Sequence, residues 1–134
     1  MANNDVDQSA LIQGRTFEWH ELNTPDVEAS VAFYTETLGF GSTQMEMGEM
    51  GTYTMLTREG RPVCGVTKVG DQVPPHWGIY LSVDDVDTRV AAAEANGSTI
   101  LSPGCDVPTV GRMALIQDPE GARLWLFKAE HPPL

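Results

Sequence analysis

From Thr16 to Thr24 (TFEWHELNT) aromatic and β-branched residues dominate a short run, which predicts a strand. The period then changes. Val27, Val31, Tyr34 and Leu38 recur at helical spacing, Thr24 is placed to cap, Pro25 suits a first helical position, and Gly39 supplies a left-handed stop. Three short β-type runs follow, at 42–47, 51–58 and 62–68, punctuated by Gly48, Gly51 and the Glu59-Gly60 turn. The pattern then recurs. Residues 76–83 (HWGIYLSV) read as a strand, and Asp84 or Asp85 caps a helix with apolar stripe Val86, Val90 and Ala93 that ends at Asn96-Gly97. Strands are predicted near 98–102, 111–117 and 122–128, with Asp118-Pro119-Glu120-Gly121 as the turn before the last.

The recurrence is an internal repeat. Leu22, Asp26, Val27, Val31 and Ala32 reappear as Leu81, Asp85, Val86, Val90 and Ala91, Gly51 as Gly111, and Glu59-Gly60 as Glu120-Gly121. The fold class is therefore α+β: two βαβββ modules, at about 16–70 and 75–128, within one domain over 16–128. Residues 1–15 are polar and aperiodic and read as a flexible leader, and 129–134, with Pro132 and Pro133, as a tail.

Composition removes several function classes. A chain of 134 residues with 41% hydrophobic and 20% charged positions can bury a core without disulfides. No apolar run approaches a membrane span. The net charge of −11 opposes binding to a phosphate backbone, so nucleic acid is not an expected partner. Cys64 and Cys105 form no CxxC pair and read as reduced thiols. With no secretory signal before residue 15, the expected compartment is the cytoplasm. Nucleotide-binding glycine loops, GxSxG and HExxH are all absent.

Two βαβββ modules in one short chain resemble the vicinal-oxygen-chelate superfamily, which includes glyoxalase I, extradiol dioxygenases and the fosfomycin- and bleomycin-resistance proteins. The residues carrying the resemblance are Asp26-Val27, Phe33-Tyr34 and Leu38-Gly39-Phe40 in module one. In module two they are Leu81-Ser82-Val83-Asp84, Gly111-Arg112 and Asp118-Pro119-Glu120-Gly121. The resemblance implies a curved, cup-shaped mixed sheet with the helices on its outer face, and often a homodimer. It also implies a divalent metal held by His, Glu or Gln on the first and last strands of each module. Here those positions fall on Trp19, Cys64, Gly78 and Trp125, none of them a His or a carboxylate, so no metal and no cofactor are expected. His20, one residue from the expected position, could recover a metal through a bulge, and His76 through its shared parity with Gly78.

Strand parity predicts what the cup presents. Trp19, Glu21, Tyr53, Met55, Cys64, Tyr80, Met113, Trp125 and Phe127 are the expected ligand-binding residues, a set suited to a small apolar or aromatic organic molecule. The same side chains could instead fill a core. Glu21 is the candidate acid or base, since a carboxylate among Trp, Tyr and Met should have a raised pKa. It could equally pair with Arg123 or a backbone N–H. Arg112 reads as a hairpin or dimer contact ahead of a substrate contact. Three readings stay open: a metal-free binder, as in antibiotic resistance by sequestration; an enzyme (lyase, isomerase or dioxygenase) using Glu21 or a metal recovered through His20 or His76; and a partner-binding or structural protein whose cup is plugged with its own side chains.

Overall fold

A computed structural model describes residues 16–130. The described residues divide into two compact units: Trp19–Gly78, and a second that joins residues 16–18 to residues 79–130. Each holds most of one module, with the first residues of β1 and of β5 falling in the other unit.

Module one runs β1 (Phe17–Thr24), α1 (Val27–Leu38), β2 (Gly41–Glu46), β3 (Thr52–Arg58) and β4 (Arg61–Lys68). Its sheet order is β2-β3-β4-β1, with β1 parallel to β4 and the other pairs antiparallel. The helix starts later than the sequence suggests. Asp26, not Thr24, is the N-cap and accepts from Ala29 N at 3.0 Å. Thr24 instead forms the turn before it: its hydroxyl oxygen accepts from Asp26 N at 3.2 Å and from Ser30 Oγ at 2.8 Å. An aspartate carboxylate at the cap also meets the positive end of the helix dipole, which a hydroxyl cannot do. Gly39 closes α1 at φ 75°, as its position predicts.

The core of module one is Leu22, Leu56, Cys64 and Val66, packed against Val27, Val31, Tyr34 and Phe40. Leu38, the fourth residue of the predicted stripe, is 50% exposed, and Phe40 fills the helix end in its place. Arg58 secures that end from β3. Its Nη1 donates to Leu38 O at 3.2 Å, and its guanidinium lies 4.2 Å from the Phe40 ring centroid.

Module two repeats the scheme with β5 (His76–Ser82), α2 (Val86–Ala95), β6 (Thr99–Val107), β7 (Gly111–Gln117) and β8 (Arg123–Ala129). The order is β5-β8-β7-β6, β5 parallel to β8. Asp85 caps α2 by accepting from Thr88 N at 2.9 Å, while Asp84 pairs with Arg89. Its core joins Val83, Val86, Ala114 and Leu126 with Leu81, Val90, Ile116 and Leu124. β6 runs well beyond the predicted strand because register shifts at Ile100/Ser102 and Ser102/Cys105 carry it past Pro103. Ala129 completes β8, and Glu130 N donates to Val110 O at 3.0 Å, so these two residues belong to the module rather than to a tail. The predicted leader and the rest of the predicted tail lie outside the described residues. No helix among the described residues is long and apolar enough to cross a membrane.

Candidate functional site

Pleating puts Trp19, Glu21 and Asn23 on one side of β1. Glu21 lies beside Gly65 and Asn23 beside Thr67 on β4; Gly65 in turn lies beside Met55 on β3. Tyr53 shares the Met55 side, and Met45 of β2 pairs with Tyr53. These residues make one face of module one, and α1 covers the other.

Gly65 shapes the face. A Cβ there would fall on the Tyr53 hydroxyl oxygen, so only glycine lets the phenol ring lie across β4. Placed this way, the Tyr53 hydroxyl donates to Glu21 Oε2 at 2.5 Å and accepts from Trp19 Nε1 at 3.0 Å. Thr67 Oγ1 donates to the same Oε2 at 3.4 Å, and Asn23 Nδ2 to the Glu21 carbonyl at 3.2 Å. Burial raises the Tyr53 pKa well above the usual 10, and the charge and acceptor of Glu21 raise it further, against a smaller lowering by the Trp19 hydrogen bond. Tyr53 therefore remains a neutral O–H donor. Arg123, the partner the sequence offered for Glu21, belongs to the other unit and donates to Gln117 Oε1 at 3.3 Å.

Cys64 is not on this face. It sits in the core under α1 with Leu22, Leu56 and Val66, 5% exposed. The β3–β4 ladder explains the reversal. Leu56 pairs with Cys64 but Thr57 pairs with Pro62, so Val63 is an extra residue that flips the parity of β4. Gly65, not Cys64, is therefore the module-one counterpart of Trp125: Glu21 pairs with Gly65 as Tyr80 pairs with Trp125. Burial raises the Cys64 pKa, which suits a packed thiol better than a nucleophile.

In module two the registers Tyr80–Trp125–Leu115 and Ser82–Phe127–Met113 align one face. Tyr80 and Trp125 stack with centroids 5.2 Å apart and planes 8° apart, and Phe127 meets Tyr80 edge-on at 6.3 Å. Arg112 points elsewhere. It bonds Asp87 in the first turn of α2 and Asp106 on β6, each at 3.0 Å, a structural tie within the module.

One carboxylate escaped the sequence reading. Glu18 Oε2 is buried with no hydrogen-bond partner among the described residues, and burial raises the Glu18 pKa. Its only sequence signal is a position between Phe17 and Trp19. Two cavities lie away from Glu21. One, of about 220 Å³, lies beside Arg112, Lys128 and the α2 N-terminus; the other, of about 590 Å³, lies between α1 and β2.

The positions that would hold the superfamily's divalent ion are thus Trp19, Gly65, Gly78 and Trp125. An indole is a donor only and glycine has no side chain, so these residues do not fit a metal. His20 adjoins Glu21 on an extended strand, faces the opposite side and is exposed, and exposed His76 contacts Pro74 O through Nδ1 at 2.8 Å. No three His, Cys, Asp or Glu side chains gather among the described residues.

The family model for the Glyoxalase/Bleomycin resistance protein/Dioxygenase superfamily matches residues 16–126. The chain belongs to this superfamily. Two similar relatives are "Putative glyoxylase CFP32" of Mycobacterium bovis, 33% identical over 95% of this chain and 49% of its own length, and anthracycline biosynthesis protein DnrV of Streptomyces peucetius, 31% identical over 82% of this chain and 46% of its own. The chain spans about half the length of these curated relatives. Among solved structures, methylmalonyl-CoA epimerase from Mycobacterium tuberculosis matches at TM-score 0.61 and 13% identity, covering 87% of this chain and 89% of that one. The 2,3-dioxygenase LapB from Pseudomonas sp. KL28 matches at 0.57 and 14%, covering 90% and 43%. At these identities the solved structures establish the fold of this superfamily member and no more.

Proposed function

We propose that this superfamily member binds a small, flat, apolar or aromatic organic molecule without a metal. The face of Trp19, Glu21, Tyr53 and Met55 is the principal site, and the Tyr80, Met113, Trp125 and Phe127 face of module two offers similar chemistry. The observation that carries the reading is the internal hydrogen bonding of module one. The Trp19 N–H and the Tyr53 O–H are both satisfied within the face, so ring and thioether surface is what an apolar molecule would meet. An anthracycline is a polycyclic aromatic, and the name of the DnrV relative agrees with this ligand class. The working form would be a homodimer in the cytoplasm.

Thermal shift against a panel of planar aromatic compounds tests the reading, because a ligand of the native state raises stability by mass action. A concentration-dependent rise in Tm is expected. Stoichiometric divalent metal surviving dialysis would overturn the metal-free part. A second reading, an enzyme with Glu21 as acid or base, is favoured by the 2.5 Å contact that fixes the carboxylate, and turnover of a compound found to bind would establish it.

A further inference from the structure

The polarity of the module-one face follows from an inventory of its donors. Four polar side chains stand around Glu21: Trp19, Tyr53, Thr67 and Asn23; Thr43, opposite Met55, and Thr57 lie farther out on the same side of β2 and β3. The indole N–H is committed to the Tyr53 oxygen, the Tyr53 and Thr67 hydroxyl protons to Glu21 Oε2, and one Asn23 N–H to the Glu21 carbonyl. A hydroxyl that donates once keeps lone pairs. Tyr53 and Thr67 therefore retain acceptor capacity while their single protons are used, and the thioether sulfurs of Met45 and Met55 are weak acceptors only. Both hydroxyl protons point to the carboxylate, and the indole N–H points to the hydroxyl that bonds it. The high Tyr53 pKa keeps its proton in place.

We propose that this face is a hydrogen-bond-accepting site, selecting aromatic molecules that carry an O–H or N–H donor and discriminating against aromatic oxyanions such as carboxylates. The assignment rests on the small-molecule reading above and names the ligand class within it. An oxyanion needs donors, and around Glu21 the side-chain donors are committed save one Asn23 N–H, while Glu21 adds negative charge. The chain's net charge of −11 acts in the same sense at long range. Gly65 sets this polarity, since without its missing Cβ the Tyr53 hydroxyl could not stand between Trp19 and Glu21.

The test is a matched series of probes titrated calorimetrically into the full-length chain at neutral pH: 2-naphthol, 2-methoxynaphthalene and 2-naphthoate. The methyl ether keeps the ring and the oxygen and loses only the donor. The expected result is that 2-naphthol binds about tenfold tighter than the ether, the size of one net hydrogen bond, and that 2-naphthoate binds weakest. Tyr53→Phe frees the Trp19 N–H as a donor, so the advantage of 2-naphthol over 2-naphthoate should shrink about tenfold. Equal affinity of 2-naphthol and its ether, or preference for 2-naphthoate, overturns the polarity and leaves aromatic binding standing. Failure of all three to bind overturns the binding reading itself, and the polarity with it. If Tyr53→Phe does not fold, the ranking in the unsubstituted chain decides.

Discussion

Glu18 and Glu21 are three residues apart on β1 and differ entirely in their surroundings. Glu21 accepts two side-chain hydrogen bonds, whereas Glu18 buries an oxygen with no hydrogen-bond partner among the described residues. Burial disfavours charged Glu18, so its pKa in the folded protein lies above the usual 4.5. Above 4.5 the unfolded chain ionises this group more readily than the folded one, so ionisation favours unfolding, and the penalty disappears as the pH falls below 4.5. Glu18→Met is therefore expected to raise Tm at neutral pH, with the gain vanishing as thermal melts are taken down through pH 4.5. The two thiols differ in a similar way. Exposed Cys105 should react with a thiol reagent within minutes and buried Cys64 only on unfolding, so native titration should find one thiol and denatured titration two.

At the scale of elements, caps and turns follow from local chemistry and were legible in the sequence: Gly39 and Gly97 take positive φ as their positions predict. The Asp118 carboxylate holds its turn by accepting from Glu120 N and Ala122 N, each at 2.9 Å. What was not legible is register. Parity placed Trp19, Glu21, Tyr53 and Met55 on one face but put Cys64 with them, because nothing in RPVCGV announces a bulge at Val63. The partnership of Tyr53 with Glu21 was hidden for the same reason, since it depends on which β4 residue is the glycine beneath the ring. A tertiary contact also completes the end of α1. That helix has no basic residue in its last turn, and Arg58 reaches it from β3 instead. Arg58→Ala removes a hydrogen bond and a cation–π contact and should lower stability by about 1–2 kcal/mol in urea unfolding, with an unchanged m-value.

At the scale of the molecule, the repeat and the superfamily resemblance were both readable. Two βαβββ modules, each with its own core, are what the family match over residues 16–126 leads one to find. Assembly was not readable, because a surface that pairs two copies carries no periodic signature. If the proposed homodimer forms, light scattering should give twice the 14.6 kDa chain mass. Two chains of −11 repel each other, so the dimer fraction should rise with salt as the Debye length falls below about 10 Å.

The extra residue at Val63 also bears on how such a chain changes through evolution. Cys64 and Gly65 adjoin on β4, and the bulge alone decides which of them faces Glu21. Straightening the bulge, with Val63 taken into the ladder opposite Leu56, would set the thiol opposite Met55, present it to Glu21 and take the glycine from beneath Tyr53, with every residue unchanged. The inventory of groups on this face can therefore be exchanged in one step by sliding a strand, a shorter path than replacing its side chains one at a time.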